Sequence, residues 1–285
     1  MRVARRVTEV RAAVAVARGA GQNVGLVPTL GALHAGHFAL MDCARCECQF
    51  VVVSIFVNPT QFGPGEDFER YPRPFERDLE ACERQCVDLV FAPEAAEIYP
   101  EGFSTQVNVG ALGSILEGKL RPTHFAGVCT VVLKLLNIVQ PDMAYFGEKD
   151  YQQLVVVRRM VADLDLPVRI VAVPTVREAD GLALSSRNAY LSGQERARAL
   201  SLSRGLRAAA AAWEKGERDP TVLCQLVRKE LEAAKVVIDY VAAVEAETLK
   251  PTAAGCRECV LLVAGRVGTT PLIDNLILGA KGVSE

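Results

Sequence analysis

The run FVVVSIFV, residues 50–57, constrains the fold more than any other part of the chain. Its apolar side chains occupy successive positions, so both faces of one strand must be covered, and β-branched residues favour the extended backbone. Such a strand belongs in a parallel sheet sandwiched between helices. A sheet with one wet face would alternate apolar with polar residues instead.

The surrounding pattern agrees. Periodicity predicts a helix over 8–18, a strand over 23–28, a helix following His37, and then the 50–57 strand. A helix over 75–85 and a strand over 88–92 come next. A helix over 127–139, a strand over 142–147, a helix from 150 and a strand over 168–176 close the series. Strands alternating with helices through short links are βαβ units, hence a Rossmann-like parallel-sheet domain over 1–176. After that the grammar changes. SGQE (192–195) reads as a capping box, with Ser192 as N-cap and Glu195 three residues on, opening a long helix. A helix over 221–234 and three strand-like segments (236–246, 258–268, 271–278) follow, which makes 177–285 a smaller α+β domain.

Composition narrows the function classes. With 285 residues, a net charge of −2 and 23% charged residues, the chain lacks the basic excess of a nucleic-acid surface. Its apolar runs fall short of the ~20 residues that span a bilayer. Arg11 and Arg18 interrupt any targeting-type apolar core near the N-terminus, so this stretch reads as the amphipathic first helix over 8–18 and the expected compartment is the cytoplasm. The nine cysteines, including Cys43, Cys46 and Cys48, lack the paired spacing of a zinc site and read as small apolar residues of a reducing compartment.

Four stretches could carry chemistry. In GLVPTLGALHAGHFAL (25–40), His34 and His37 stand three apart where a strand turns into a helix. Paired imidazoles at the positive end of a helix suit a phosphate, and Gly31 and Gly36 permit close backbone approach; a capping or packing role is the alternative. FGEKDYQQ (146–153) lies at the end of a short strand, where open α/β sheets bind ligands. It offers Lys149 as a compact cation, Asp150 as a helix cap and Gln153 as a recognition amide, or it is a solvated helix start. DGLALSSRNAYLS (180–192) sets Ser185, Ser186 and Arg187 in a row, either a clamp for phosphates or a polar linker. SIFVNPTQFG (54–63) leaves the buried strand through Asn58 and Gln61, amides suited to a small polar substrate, although Asn-Pro also simply turns the chain. There is no GxxxxGK[ST] loop, no GxGxxG and no GxSxG elbow.

Taken together, PTLGALHAGH, SIFVNPTQF, YPR, RPTHFAGV, QPDMAYFGEKDYQQL, VPTVREADGLALSSRNAYLS and the late LIDN resemble the pantothenate synthetase (pantoate–β-alanine ligase) family. They run in order over nearly the whole chain. HAGH (34–37) stands for the HIGH-type signature of that nucleotidyltransferase superfamily. The resemblance implies a cytoplasmic homodimer that uses ATP with Mg²⁺ to make pantothenate from pantoate and β-alanine through a pantoyl adenylate, releasing pyrophosphate and AMP. Neither nucleic acid nor membrane is an implied partner.

Carried over by matching position, Leu30, Gly31, Ala32, Leu33, His34, Ala35, Gly36 and His37 would border ATP, with His37 as proton donor and His34 beside the phosphates. Gly147, Glu148, Lys149 and Asp150 would hold the nucleotide. Val176, Leu184, Ser185, Ser186 and Arg187 would complete the ATP site, the last four from the smaller domain acting as a lid. Gln61 and Gln153 would bind pantoate, with Asn58 close by and Gln61 also near β-alanine. The implied catalytic set is His34, His37, Lys149 and Arg187; the protein ligands of Mg²⁺ are not identified. Leu30 replaces a methionine and Ala35 an acidic residue of the family's usual pattern. Two rivals are a HIGH-type enzyme that keeps a nucleotidylated product and a non-catalytic nucleotide-binding module on the same fold. The paired amides argue against the first, and the two histidines with Lys149 and Arg187 against the second.

Overall fold

The computed structural model describes residues 1–279, and its strands and helices alternate as the apolar periodicity requires. The strands are β1 (Arg2–Ala4), β2 (Val24–Thr29), β3 (Phe50–Ile55), β4 (Leu89–Phe91), β5 (Met143–Gly147), β6 (Arg169–Val173), β7 (Val237–Val244), β8 (Cys259–Val267) and β9 (Thr270–Leu278). The longer helices are α1 (Val7–Gly19), α2 (Ala35–Glu47) and α3 (Phe75–Arg84), with single turns α4 (Ala95–Ile98) and α5 (Glu117–Leu120) after them. Then come α6 (His124–Val139), α7 (Tyr151–Asp163), α8 (Gly193–Glu214) and α9 (Pro220–Ala233).

Two compact units result. The first comprises Met1–Glu148 and Val156–Pro174, the second Lys149–Val155 and the chain from Thr175 on. The first holds a parallel six-stranded sheet in the order β1-β4-β3-β2-β5-β6. Strand order reverses between β2 and β5, the topological switch point of a doubly wound, Rossmann-like sheet. Val51, Val52 and Val53 are buried, as a strand covered on both faces must be. Each pairs with β2 in parallel, Val52 opposite Leu26 and Ser54 opposite Pro28.

The second unit carries the antiparallel sheet β7-β8-β9. Leu206, Leu223, Val227 and Leu231 of α8 and α9 pack with Leu261 and Val263 of β8 in one apolar cluster. Ser192 and Glu195 form the capping box of α8 as the sequence implies.

Differences from the sequence reading have local causes. The N-terminal stretch begins with β1, three residues paired in parallel with β4, too short for any periodicity to show. β3 ends at Ile55 rather than at 57, because Asn58 caps a 3-10 turn over Pro59–Gln61 and proline cannot extend a ladder. The chain enters α7 through a 3-10 turn over Glu148–Asp150, so the helix starts at Tyr151 instead of Asp150. Among the described residues no helix is long and apolar enough to cross a membrane.

Candidate active site

In the first unit, the turn between β2 and α2 is built by its own backbone. Thr29 Oγ1 donates to Ser54 O (2.7 Å) and accepts from the Gly31 N–H (3.1 Å). Gly31 has φ +85°, a left-handed conformation, and a Cβ there would meet Asp78 Oδ2 at 3.0 Å and Ile55 Cγ2 at 3.1 Å. Two consecutive N–H groups then converge on one carboxylate. Ala32 donates to Asp78 Oδ2 and Leu33 to Asp78 Oδ1, each at 2.8 Å. Asp78 is only 3% exposed. Burial pushes its pKa up, and the Leu33 and Ala32 N–H groups pull the other way. Sequence reasoning missed Asp78, which lies 45 residues beyond the turn on α3.

That turn delivers both histidines. His34 is the N-cap of α2, and its Nδ1 accepts from the Gly36 N–H at 3.2 Å. His37 Nδ1 accepts from the His34 N–H at 3.3 Å, and the two rings lie 4.1 Å apart, centroid to centroid. The capping alternative is therefore realised, and it has a chemical consequence. An Nδ1 that accepts a backbone N–H holds a lone pair, so each neutral ring carries its proton on Nε2. Nε2–H groups at the positive end of a thirteen-residue helix are of a chemistry that suits an anion.

Gln61 ends the neighbouring 3-10 turn and is 8% exposed. Asn58, fully buried, donates from Nδ2 to Gln61 Oε1 (3.0 Å) and Gly127 O (3.2 Å). Its Oδ1 accepts from Tyr99 OH (2.7 Å) and Thr60 Oγ1 (3.0 Å). The Asn58 amide is thus engaged inside the protein and orders the Gln61 side chain. His124 Nδ1 lies 2.9 Å from Gln61 O, where only an N–H can serve the carbonyl, and Arg121 Nη2 donates to the same oxygen at 3.3 Å. Arg121 is itself gripped by Glu66, Nε to Oε1 at 2.9 Å and Nη2 to Oε2 at 2.5 Å. Gly127 of α6 touches the turn so closely that a Cβ would sit 2.3 Å from Thr60 O and 2.6 Å from Gln61 N. The motif RPTHFAGV supplies these supports. The resemblance flagged it without assigning roles. A cavity of about 310 Å³ opens at these strand ends, lined by Leu30, Gly31, Phe56, Pro59 and Asp78 among others.

β5 ends at Gly147, followed by Glu148, whose carboxyl is pushed up by burial and pulled down by Arg158. In the second unit, Lys149 Nζ lies 3.3 Å from Asp150 Oδ1, and Gln153 is half-buried on α7. Val176 accepts from the Leu184 N–H (3.0 Å), closing a hairpin over 176–184. Ser185 Oγ then accepts from the Arg187 N–H (3.3 Å), capping a 3-10 turn over Ser186–Tyr190. Arg196 locks the hairpin, meeting Glu178 at 2.8 Å and Asp180 at 2.6 Å. Of the residues named from the sequence, Leu30–His37, Asn58, Gln61, Gly147 and Glu148 belong to the first unit, and Lys149, Asp150, Gln153, Val176 and Leu184–Arg187 to the second.

The cysteine cluster lies elsewhere. Cys46 is nine residues beyond His37 on α2, about 14 Å along the axis. Cys48 is buried against Tyr145 OH at 3.4 Å. Burial raises the pKa of Cys43 and Cys48, which favours the thiol over the thiolate at both.

A doubly wound sheet with an imidazole pair at the turn from β2 into α2 is the architecture of a Rossmann-like enzyme that handles a phosphorylated ligand. Residues 2–277 match the family model for pantoate–β-alanine ligase. Pantothenate synthetase 1 of Bradyrhizobium diazoefficiens is 53% identical over 279 residues, 98% of each chain. The pantothenate synthetase of Aquifex aeolicus is 54% identical over 257 residues, 90% of this chain and 91% of the relative. The crystal structure of the Thermus thermophilus pantothenate synthetase superposes with a TM-score of 0.92 at 51% identity, covering 97% of this chain and 99% of that one. A Francisella tularensis pantoate–β-alanine ligase, complexed with beta-gamma ATP and beta-alanine, gives 0.82 at 33% identity over the full length of both. The chain belongs to the pantoate–β-alanine ligase family, and it is a ligase that condenses pantoate with β-alanine.

Proposed function

We propose that the ligase runs in two steps on ATP. A carboxylate oxygen of pantoate attacks the α-phosphorus, the bond to the β-phosphate breaks, and pyrophosphate leaves pantoyl adenylate. The β-alanine amine then attacks the acyl carbon and loses a proton, and the bond to the phosphate oxygen breaks to release AMP. Condensing a carboxylate with an ammonium requires activation, and these groups suit positioning and charge neutralisation rather than a covalent nucleophile. The observation that carries the reading is the His34–His37 pair at the head of α2, each Nδ1 accepting a backbone N–H, which in the neutral ring leaves the proton to Nε2.

In this scheme His37 donates from Nε2 toward the phosphates and His34 flanks it. Lys149 and Arg187 offset charge on the leaving pyrophosphate, and Leu30–His37, Gly147–Asp150, Val176 and Leu184–Arg187 border the nucleotide. Gln61 and Gln153 hold the hydroxyls and carboxylate of pantoate, with Gln61 also facing β-alanine. Asn58 acts by fixing Gln61. Mg²⁺ enters as part of the substrate, on the triphosphate. The described residues hold no cluster of three or more His, Cys, Asp or Glu to cage it, and Mg²⁺ commonly takes phosphate oxygens, water and one or two carboxylates. The expected working state is a cytoplasmic homodimer, checked by light scattering.

The test uses pantoate labelled with ¹⁸O in its carboxylate, with MgATP and β-alanine. The scheme expects one ¹⁸O in AMP for every pantothenate formed, and no ADP. Label in inorganic phosphate, or production of ADP, would replace adenylation by phosphorylation.

A further inference from the structure

The motif LIDN, residues 272–275, lies on β9, far along the chain from every residue assigned a role above. Asp274 and Asn275 are nonetheless buried, at 4% and 5% exposure. Adjacent residues on a strand point to opposite faces, so one dipeptide can reach two different segments. Asp274 takes Arg177 in a two-pronged ion pair, Oδ2 from Nη1 at 2.7 Å and Oδ1 from Nη2 at 2.9 Å. Arg177 also donates to Gly181 O and Asn275 O, each at 3.2 Å, which ties it across the hairpin that ends at Leu184. On the other face, Asn275 Nδ2 donates to the backbone carbonyl of Lys149 at 2.9 Å.

A buried carboxylate persists only where it is paired, and a buried amide only where it is bonded. These two meet the Lys149 carbonyl and Arg177 of the hairpin over 176–184, which leads into Ser185–Arg187. Tyr151 OH adds a second tether, to Ala246 O at 3.3 Å. We infer that Asp274 and Asn275 are positioning residues for the ligation, Asn275 setting the backbone from which Lys149 projects and Asp274 setting the hairpin that presents Ser185–Arg187. The inference rests on the reading that Lys149 addresses the ATP phosphates. It adds that Asn275 acts through Lys149 and through no contact of its own with substrate.

The experiment is a double-mutant cycle on the adenylation rate, read as pantoate-dependent pyrophosphate release by wild type, Asn275→Ala, Lys149→Ala and the double variant. The expected result is about a tenfold fall in kcat for Asn275→Ala in the wild-type background, and less than twofold when Lys149 is already alanine. A general loss of folded enzyme would instead lower the rate by the same factor in both backgrounds, since it does not act through Lys149. Equal factors in both backgrounds, or an unchanged rate for Asn275→Ala beside a crippled Lys149→Ala, would overturn the positioning role alone. A Lys149→Ala variant with normal adenylation would overturn the phosphate reading and the inference with it. Should Asn275→Ala fail to fold, Asn275→Ser carries the same cycle, since its shorter donor still packs on the strand but cannot span to the Lys149 carbonyl.

Discussion

The two units hold their functional segments by different means. In the first, close backbone packing does most of the holding, with the Arg121–Glu66 pair behind the Gln61 turn: the β2–α2 turn rests on a left-handed Gly31 and on two N–H groups converging on Asp78, and the Gln61 turn abuts Gly127 without room for a methyl. In the second, charged side chains do it: Arg177 on Asp274, and Arg196 on Glu178 and Asp180. The contrast teaches where each unit is fragile. Steric changes should damage the first, whereas changes of charge and ionic strength should act on the second.

The largest expected effect compares one group from each unit. His37→Ala and Lys149→Ala should each slow adenylation by roughly two orders of magnitude, the scale of removing one charge-stabilising donor. Single-turnover pyrophosphate release measures both, and near-normal rates in both would remove the phosphate assignment altogether. Gln153→Ala should raise KM for pantoate while leaving ATP binding largely intact; equal loss of both ligands by calorimetry would mean general damage instead.

Next comes the steric side. Gly127→Ala puts a Cβ 2.3 Å from Thr60 O and 2.6 Å from Gln61 N, so the Gln61 turn must shift, and overpacking of this kind costs about 1–3 kcal/mol. Arg196→Ala removes a half-exposed ion-pair cluster and should cost about 1 kcal/mol or less, shrinking further in high salt. Denaturant melts of both variants would settle the comparison, and equal costs would break it. Asp78→Asn is of the same order as Gly127→Ala. An amide keeps one acceptor but turns an NH₂ toward the second backbone N–H, a loss of about 1–3 kcal/mol for a buried unsatisfied group. The rate of adenylation should fall with it, because the histidines hang from that turn.

The smallest effect is a pH dependence. Burial would raise the Glu66 carboxyl, but the Arg121 guanidinium outweighs it and holds the pKa below the ordinary value of 4.5. A folded-state pKa below the unfolded one means stability that is present above the unfolded value and lost as pH falls through the folded value. Glu66→Gln should therefore flatten the acid limb of the stability curve below about pH 4.5. A wild-type acid limb in that variant would assign the limb to other carboxylates.

The sequence alone determined the parallel sheet, because a continuous β-branched run can be covered only between helices, and it determined the capping box at Ser192 and Glu195, because caps act within four residues. It also located the HxxH turn, the Lys149 segment and the Ser185–Arg187 run, since strand ends can be read from local pattern. It could not show Asp78 beneath the turn, Gly127 and His124 against Gln61, or Asn275 on the Lys149 carbonyl. Nor could it show that Lys149–Val155 packs with the second unit. Those contacts join residues 45 to 126 positions apart. Periodicity records only which face of an element is buried, and says nothing of what lies on the other side; that pairing is fixed when the sheet closes and each buried donor must find an acceptor.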